Sequence, residues 1–544
     1  MLILLKGGRI IDPANSRDEI GDLWIEDARI IDPPHGRQPD QIHDVSGKIV
    51  MAGAIDIHSH IAGGNVNTAR LLLPEMHRAS APLQKVLPLA NAKWSTFETG
   101  NIYASMGFTT VIEPALAPHQ ALQGHLELSD VPILDKGALT ILGNDDFLLT
   151  LLRDGEKPSA VADYVAATLA ATNGLGLKTI NAGGATAFKY NVRAFGLDDQ
   201  VPFYGTTSRK ILEALQQAVD DLKIPHPLHL HCNNLGIPGN VSTAIATIEA
   251  ARGKPLHLAH LQFYCYGNEG DHGFSSGAAA VAAAVNAAPN VTVDVGQAMF
   301  RQTVTISSDV LRQFNATAMA RPRKSVIFDA DAEGGGIVPY HYRETEFANA
   351  VQWACGLELF LLINDPWRVF FTTDHPNGAP FTTYPEVFAL LMSREARAET
   401  AARLPQGALD VTTLPSIARE YDLNEIAIMT RAAPAKLLGL KDRGHLGAGG
   451  LADIAVYSPD KDIAKMFRAA HLVFKDGDLV VRDGTVTHYR WGKTLKVNPG
   501  YDKAIDRRLA GYYDHHFGVS HNMFAVPEHI LPRPDPFQEV ACAQ

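Results

Sequence analysis

Residues 53–60 read GAIDIHSH, and this stretch decides the fold. An apolar run ends in His58 and His60, which are separated by one residue. Because alternate side chains of a strand share a face, both imidazoles can point toward one cation. A pair of surface histidines is the ordinary alternative. The position favours metal binding, since the active sites of (β/α) barrels lie at the carboxyl ends of the strands.

Polar groups also end four later apolar runs. They are Lys178 in GLGLKTINAGG, His231 in LHLHCNN, His260 in LHLAH and Asp374 in VFFTTD. Singly, each has an ordinary explanation, such as a hydrogen-bonded core histidine or an ion-paired lysine. Together with the first two histidines they predict a functional site, because chance placement does not explain polar groups at the ends of successive strands. A buried lysine also loses its proton readily, which makes its amine available for covalent chemistry.

Two of the histidine assignments have an alternative. His229 lies on the same face of its predicted strand as His231, and His257 precedes His260 by three residues. The sequence leaves both choices open.

The middle of the chain alternates predicted strands with predicted helices. Strands are predicted at 109–112, 138–142, 177–180, 228–232, 256–259, 291–295 and 369–373, and helices at 96–106, 159–172, 211–222 and 241–252. Repeated strand-then-helix units imply a parallel sheet. About eight units favour an α/β fold of the closed (β/α)8, TIM-like type over an open sheet. No G-x-G-x-x-G motif follows a strand in the setting that a dinucleotide-binding fold requires.

Both chain ends read as short strands separated by turns. The dipeptides Asp476-Gly477 and Asp483-Gly484 are hairpin-turn signals. We predict one small β-sandwich built from residues 1–50 and 443–498, with the barrel at 51–442. The tail at 499–544 is rich in His, Pro and aromatic residues and reads as an extended arm.

Composition limits the function classes. The 544 residues carry 48 Lys and Arg against 59 Asp and Glu, a net charge of −11, which argues against nucleic-acid binding. Four cysteines without a C-x-x-C pair indicate neither a disulfide framework nor a thiolate metal site. The apolar start breaks at Lys6 without a cleavage site, and no apolar run is long enough to span a bilayer. We therefore expect a cytoplasmic protein without a leader or a membrane segment.

The sequence resembles the amidohydrolase superfamily of dihydroorotases, hydantoinases and ureases. The motifs are KGGRIIDPANSRDEIGDLWIEDARI, GAIDIHSH, TRAAPAKLLGL and RGHLGAGGLADIAVY, within residues 1 to about 490. In that superfamily a carboxylated lysine bridges two metal ions, usually zinc. The resemblance implies the ligands His58, His60, carboxylated Lys178, His231, His260 and Asp374. Lys189, in TAFKYN, is the second candidate for the bridging lysine.

Four further segments resemble the A subunits of formylmethanofuran dehydrogenases and of bacterial formyltransferase/hydrolase complexes. They are HIAGGNVNTARLLLPE, LKTINAGGA, LHCNNLGIPGN and HLAHLQFYCYG, which flank the proposed ligands. The resemblance implies hydrolysis, or the reverse condensation, of the N-formyl group of formylmethanofuran. It also implies partner subunits within a complex of one-carbon metabolism.

The implied reaction is metal-dependent hydrolysis of a linear formamide C–N bond. Asp374 would take a proton from the attacking water and return it to the departing amine. Asn233, Asn234 and the loop at 63–65 (GGN) adjoin proposed ligands and are candidate substrate contacts. Their alternative role is in turns, where Asn and Gly are common.

Two other functions compete with this hypothesis. A cyclic-amide hydrolase of the dihydroorotase or hydantoinase type would share the metals, but the NNLGIPG segment at 233–239 speaks against it. A non-catalytic scaffold would keep the fold and lose the site, and the complete ligand set speaks against that. The sequence does not decide which metal binds, whether Lys178 is carboxylated, or whether the complex is a hydrolase or a dehydrogenase.

Overall fold

A computed structural model describes residues 1–72, 96–190, 192, 194–305, 328–329, 336–533 and 536–542. Its central feature is a parallel sheet of eight strands, β1 to β8. In chain order they are Ala54–Asp56, Phe108–Leu116, Asp135–Ile141, Gly176–Ile180, Leu228–His231, Leu256–Leu258, Val291–Asp294 and Val369–Phe370. Their order in the sheet follows their order in the chain. The alternation of strands and helices predicted from the sequence is confirmed.

The first and last of these strands meet just beyond their carboxyl ends. Ser59 and His375 form a parallel bridge, and the His60 amide donates to the His375 carbonyl at 2.9 Å. The sheet therefore curls round to bring β1 beside β8, as the predicted (β/α)8 fold requires.

Helices follow the strands and cover the sheet. Their bounds are Gly64–Leu72, Thr96–Ser105, Ala121–Asp130, Asp146–Arg153, Pro158–Thr172, Gly184–Lys189, Ser208–Asp221, Val241–Ala250, Ala278–Ala287, Phe347–Leu362, Tyr384–Met392 and Arg394–Ala401. The helix Pro158–Thr172 illustrates how local sequence signals mark the ends of a helix. It begins with proline in its first turn and ends at Asn173, whose φ of 49° lies in the left-handed region that asparagine tolerates.

Strands from both chain ends form one nine-stranded sheet. They are Leu2–Asp12, Arg17–Glu26, Arg29–Ile31, Gln41–Asp44, Ile49–Ala52, Ile454–Tyr457, Leu472–Lys475, Asp478–Arg482 and Thr485–Val486. This sheet has its own apolar core, separate from that of the barrel. The two Asp-Gly turns join its last three strands, with both residues of each turn at positive φ. The exact domain boundaries stay a prediction.

The C-terminal segment differs from an extended arm. A helix spans Ala504–Phe517, because Ile505 and Leu509 provide a buried side one turn apart. The strand Phe537–Glu539 pairs with Thr494–Lys496, which in turn pairs with the start of β3. The tail is thus attached to the amino-terminal end of the barrel sheet.

All four cysteines are free, three of them buried. No helix in the described ranges is long and apolar enough to cross a membrane.

Candidate metal centre

The two histidines of the H-x-H motif meet Asp374 just beyond the carboxyl ends of β1 and β8. The Nε2 atoms of His58 and His60 lie 3.0 and 3.3 Å from Asp374 Oδ1. Asp374 has a φ of 51°, and Asn377 holds its other oxygen, Oδ2, by donating from Nδ2 at 2.9 Å. His58 and Asp374 are buried, His60 is partly exposed, and the three residues could hold a metal ion together.

The atoms that face one another here are not used in hydrogen bonds. His58 Nε2, Asp374 Oδ1 and His260 Nδ1 are buried and have no hydrogen-bond partner among the described residues. Orphaned buried polar atoms are rare in proteins and are explained by a missing ion or water. Imidazole nitrogens and a carboxylate oxygen are ligands that zinc and similar divalent cations prefer. These residues therefore fit a divalent metal.

Burial and neighbouring side chains of opposite charge determine the pKa values at the centre. Burial alone would raise the pKa of Asp374, but the imidazoles of His260 and His58 outweigh it and hold the pKa well below the ordinary value. Burial alone would lower the pKa of His60, but Glu113 and Asp374 raise it to about 9. The carboxylate is thus anionic at neutral pH, as a metal ligand must be, whereas His60 without a metal is protonated and would release its proton on metal binding.

The structure distinguishes the two candidate lysines. Lys178 on β4 is 2 % exposed, and burial lowers its pKa to about 8 although Asp294 and Asp374 oppose the shift. Lys189 lies exposed at the end of its helix, beside a cavity of about 200 Å³. Of the two candidates, Lys178 is the buried one, and its lowered pKa leaves part of its amine neutral, as carboxylation requires.

His231 and His260 lie at the carboxyl ends of β5 and β6, next to the H-x-H pair. Their ring centroids are 4.7 Å apart, and the His260 ring is 5.3 Å from that of His58. The ring of Tyr264 packs within 6 Å of both. The structure thus brings His231 and His260 together with His58, His60 and Asp374.

The alternative histidines, His229 and His257, lie deeper, and contacts with neighbouring side chains use their ring nitrogens. His229 Nδ1 contacts His226 Nε2 at 3.0 Å, and His229 Nε2 contacts His58 Nδ1 at 3.0 Å. His257 contacts Asp294 through Nε2 at 3.1 Å and Thr292 through Nδ1 at 2.9 Å. Distances alone would also allow a cation among His58, His229 and Asp294. Hydrogen bonds already use those atoms, so His231 and His260 are the better candidate ligands.

Two buried carboxylates in the site were missed from the sequence. Glu113 on β2 accepts from His60 Nδ1 at 2.9 Å and from the Ile61 amide at 2.7 Å. Asp294 ends β7 and accepts from His58 Nδ1 at 3.0 Å. The available signal was a lone acidic residue in an apolar strand, in TTVIEP and VTVDV, where an unpaired charge would be costly.

The side chains of Asn233 and Asn234, the proposed substrate contacts, form hydrogen bonds within the protein. Asn233 Nδ2 donates to Ser208 Oγ at 2.9 Å, and Asn234 Oδ1 accepts from the Phe195 amide at 2.9 Å. Asn234 has a φ of 63°, which is typical of a turn. These bonds support the turn alternative, although the substrate role stays a prediction. The side chain of Asn65 and residues 73–75 of the resembling segment lie outside the described part of the chain.

Comparison with known proteins supplies the family. A model described as Amidohydrolase family matches residues 41–488. The chain belongs to the amidohydrolase family. Its members characteristically bind divalent metals, and the geometry above agrees with this. The predicted class of metal-dependent hydrolase therefore holds.

Full-length relatives are also found. The A subunit of the formyltransferase/hydrolase complex Fhc of Methylorubrum extorquens is 51% identical over 549 residues, which cover 100% of both chains. Protein FwdA of Methanocaldococcus jannaschii is 38% identical over 521 residues, covering 92% of this chain and 91% of that protein. In the crystal structure of the M. extorquens complex FhcABCD with methylofuran, one chain matches with a TM-score of 0.95 and 50% identity, covering 100% of both.

Proposed function

We propose that this chain hydrolyses the N-formyl group of formylmethanofuran, or a close analogue, to formate and the free amine. It would do so with two divalent metal ions, as the A subunit of a cytoplasmic formyltransferase/hydrolase-type complex. The observation that carries this proposal is full-length similarity to the A subunit of Fhc, whose complex was solved with methylofuran. Support comes from the cluster of candidate ligands at the barrel mouth, which are His58, His60, His231, His260 and Asp374.

The binuclear site would take all six residues predicted from the sequence. His58, His60, His231, His260, Asp374 and carboxylated Lys178 would be its ligands. The neutral ε-amine of Lys178 would attack carbon dioxide and lose a proton, giving an anionic carbamate. A pKa near 8 leaves a useful fraction of this amine neutral at physiological pH.

When bound, divalent cations at such a site polarise a carbonyl oxygen and lower the pKa of water. The residues of this chain then position the reactants and move the proton. Asp374 would take the proton of the attacking water, while Asn377 holds the carboxylate in place by donating to Oδ2. It would return that proton to the amine nitrogen as the C–N bond breaks. Reversal of the same steps would make the formamide from formate.

Formate release from formylmethanofuran tests the proposal. The protein, purified with its co-purifying partners and loaded with zinc, is incubated with formylmethanofuran, and formate is quantified. We expect release that is lost in Lys178→Ala, because the bridging group is removed, and kept in the matched variant Lys189→Ala.

Each alternative has its own outcome in this experiment. Loss of activity in Lys189→Ala with retention in Lys178→Ala would assign the bridging role to the other lysine. Zinc-loaded protein that releases no formate would refute the formyl-hydrolase proposal, and cyclic amides would then be tested. Protein that binds no stoichiometric metal would favour the scaffold alternative.

A further inference from the structure

Asp294 lies directly beneath the candidate metal centre and is fully buried. Its Oδ2 accepts from His58 Nδ1 at 3.0 Å and from His257 Nε2 at 3.1 Å. Its Oδ1 accepts from the His260 amide at 2.7 Å and from Thr372 Oγ1 at 2.9 Å. One carboxylate therefore joins four strand ends, those of β1, β6, β7 and β8.

We propose that Asp294 is a positioning residue that fixes His58 and His260 together and thereby sets the metal affinity of the site. This inference rests on the proposed metal centre and adds a residue that does not itself touch the metal.

The contact with His58 decides which nitrogen is available to a cation. An anionic oxygen at Nδ1 keeps the proton on that nitrogen and leaves the lone pair on Nε2. Nε2 is the atom that lies 3.0 Å from Asp374 and has no hydrogen-bond partner in the described ranges. Without Asp294 the ring could rotate or carry its proton on Nε2, and both changes would weaken metal binding.

The contact with His260 holds an unusual backbone conformation. His260 has a φ of 34°, in the left-handed region that residues with a Cβ atom rarely adopt. Asp294 Oδ1 accepts from the amide of that residue, and Gly296 leaves the space beside it. A Cβ atom on Gly296 would lie 2.4 Å from His260 Cβ. The turn that orients the His260 imidazole therefore depends both on Asp294 and on the lack of a side chain at Gly296.

The deeper histidines fit the same scheme. His257 donates to the same Oδ2 atom as His58, and His229 Nε2 lies 3.7 Å from it. These rings surround the carboxylate and restrict its rotation. They act as partners of the positioning residue, which leaves His231 and His260 as the ligands from β5 and β6.

Equilibrium metal binding tests the role of Asp294. Metal-free protein, in its complex, is titrated with zinc against a competing chelator, and cobalt is used to record the visible spectrum. In Asp294→Asn we expect a zinc affinity about 10–100-fold weaker. The zinc stoichiometry should be unchanged, and the cobalt spectrum should shift because the His58 ring is reoriented. Thr372→Val removes one hydrogen bond to Asp294 and should weaken zinc binding only a few-fold.

Glu358→Gln is the matched control. Glu358 is a fully buried carboxylate that accepts from Thr413 Oγ1 at 2.7 Å, away from the proposed ligands. Its variant should bind zinc as tightly as the unmodified chain. If Asp294→Asn does not fold, the graded effect of Thr372→Val still decides the question.

Three results would overturn the inference. They are unchanged zinc affinity in Asp294→Asn and Thr372→Val, equal weakening in Glu358→Gln, and loss of one whole equivalent of zinc in Asp294→Asn, which would make Asp294 a ligand. Unmodified protein that binds no metal would instead refute the centre on which the inference rests.

Discussion

Among the described residues, two clusters of buried charge differ in how their polar atoms are used. One is the candidate metal centre at the carboxyl end of the barrel. The other lies at the opposite end of β3, where the barrel meets the nine-stranded sheet. Lys475 Nζ lies 2.8 Å from Asp135 and 2.7 Å from Asp453, and Arg443 Nε lies 2.7 Å from Asp135.

The second cluster is closed. Both oxygens of Asp135 and of Asp453 accept hydrogen bonds, from side chains on one oxygen and from the backbone amides of Lys493 and Asp476 on the other. Burial would raise the pKa of Asp135, but Lys475 and Arg443 outweigh it and lower the pKa far below the ordinary value. Every carboxylate oxygen of Asp135 and Asp453 thus has a hydrogen-bond partner, whereas three atoms of the metal centre have none among the described residues.

The difference predicts that substitutions in the open cluster impair activity and those in the closed cluster impair stability. Asp374→Asn should reduce the rate of formate release most, by about 10⁴-fold, because one side chain is both proposed ligand and proposed base. The melting temperature of the metal-free protein should change little. Steady-state kinetics and calorimetry measure the two quantities. Activity within tenfold of the unmodified protein would contradict the assigned role.

Lys475→Met should have the opposite profile. It leaves Asp135 and Asp453 buried without their shared cation, which costs about 3–5 kcal/mol of unfolding free energy. Zinc affinity and activity per folded molecule should be unchanged, as measured by urea unfolding and zinc titration. Lys465→Met, which breaks an exposed pair with Asp460, is the control and should change stability little. Equal losses in both variants would mean that burial does not govern the effect.

Much of the open cluster could be predicted from the sequence, and almost nothing of the closed one. The H-x-H pair and Asp374 follow from the local sequence, since they come at the ends of apolar runs. Lys178 was predicted at the end of its strand but is the central residue of Gly176–Ile180, so the sequence indicated only that it lies in an apolar strand. Lys475 and Asp135 are 340 residues apart, and no local pattern joins them. Their pairing depends on how the two chain ends return to the barrel.

The choice between neighbouring histidines has the same explanation. His229 and His231 share a strand face, so periodicity cannot separate them. The structure separates them by their partners, since His226 and His58 occupy His229 from both sides. Glu113 and Asp294 were missed because their role lies in contacts with residues far along the chain.

Removal of zinc should lower the unfolding free energy through the metal centre and leave the contribution of the closed cluster unchanged. At zinc concentrations a hundredfold above the dissociation constant, each bound zinc ion adds about 2.7 kcal/mol to the unfolding free energy. A chelator should remove this increment from the unmodified protein and from Lys475→Met alike, since the closed cluster holds no metal in this scheme. Unfolding curves with and without chelator measure it. An increment that disappears in Lys475→Met would show that the two clusters are coupled.

The smallest effect is expected at Lys136, which is buried beside the closed cluster and bonds to carbonyls instead of a carboxylate. Its Nζ donates to the carbonyls of Val131 and Gly492 at 3.2 Å. Burial lowers its pKa to about 7, only partly opposed by Asp135, while Arg533 and Lys475 lower it further. In the unfolded chain this lysine keeps its proton up to a pKa of about 10.4.

Between pH 7 and 10 the unfolded state therefore binds more protons at this site than the folded state, so stability must rise with pH. From pH 7 to 9 the gain should be about 2 kcal/mol. Lys136→Met should remove this slope, because the titrating group is gone, and urea unfolding at several pH values measures it. The same slope in both proteins would contradict the assignment. A flat profile in the variant alone would assign the slope to Lys136, which is buried against carbonyls and has a lowered pKa, whereas the pKa of equally buried Lys475 is raised by Asp135 and Asp453.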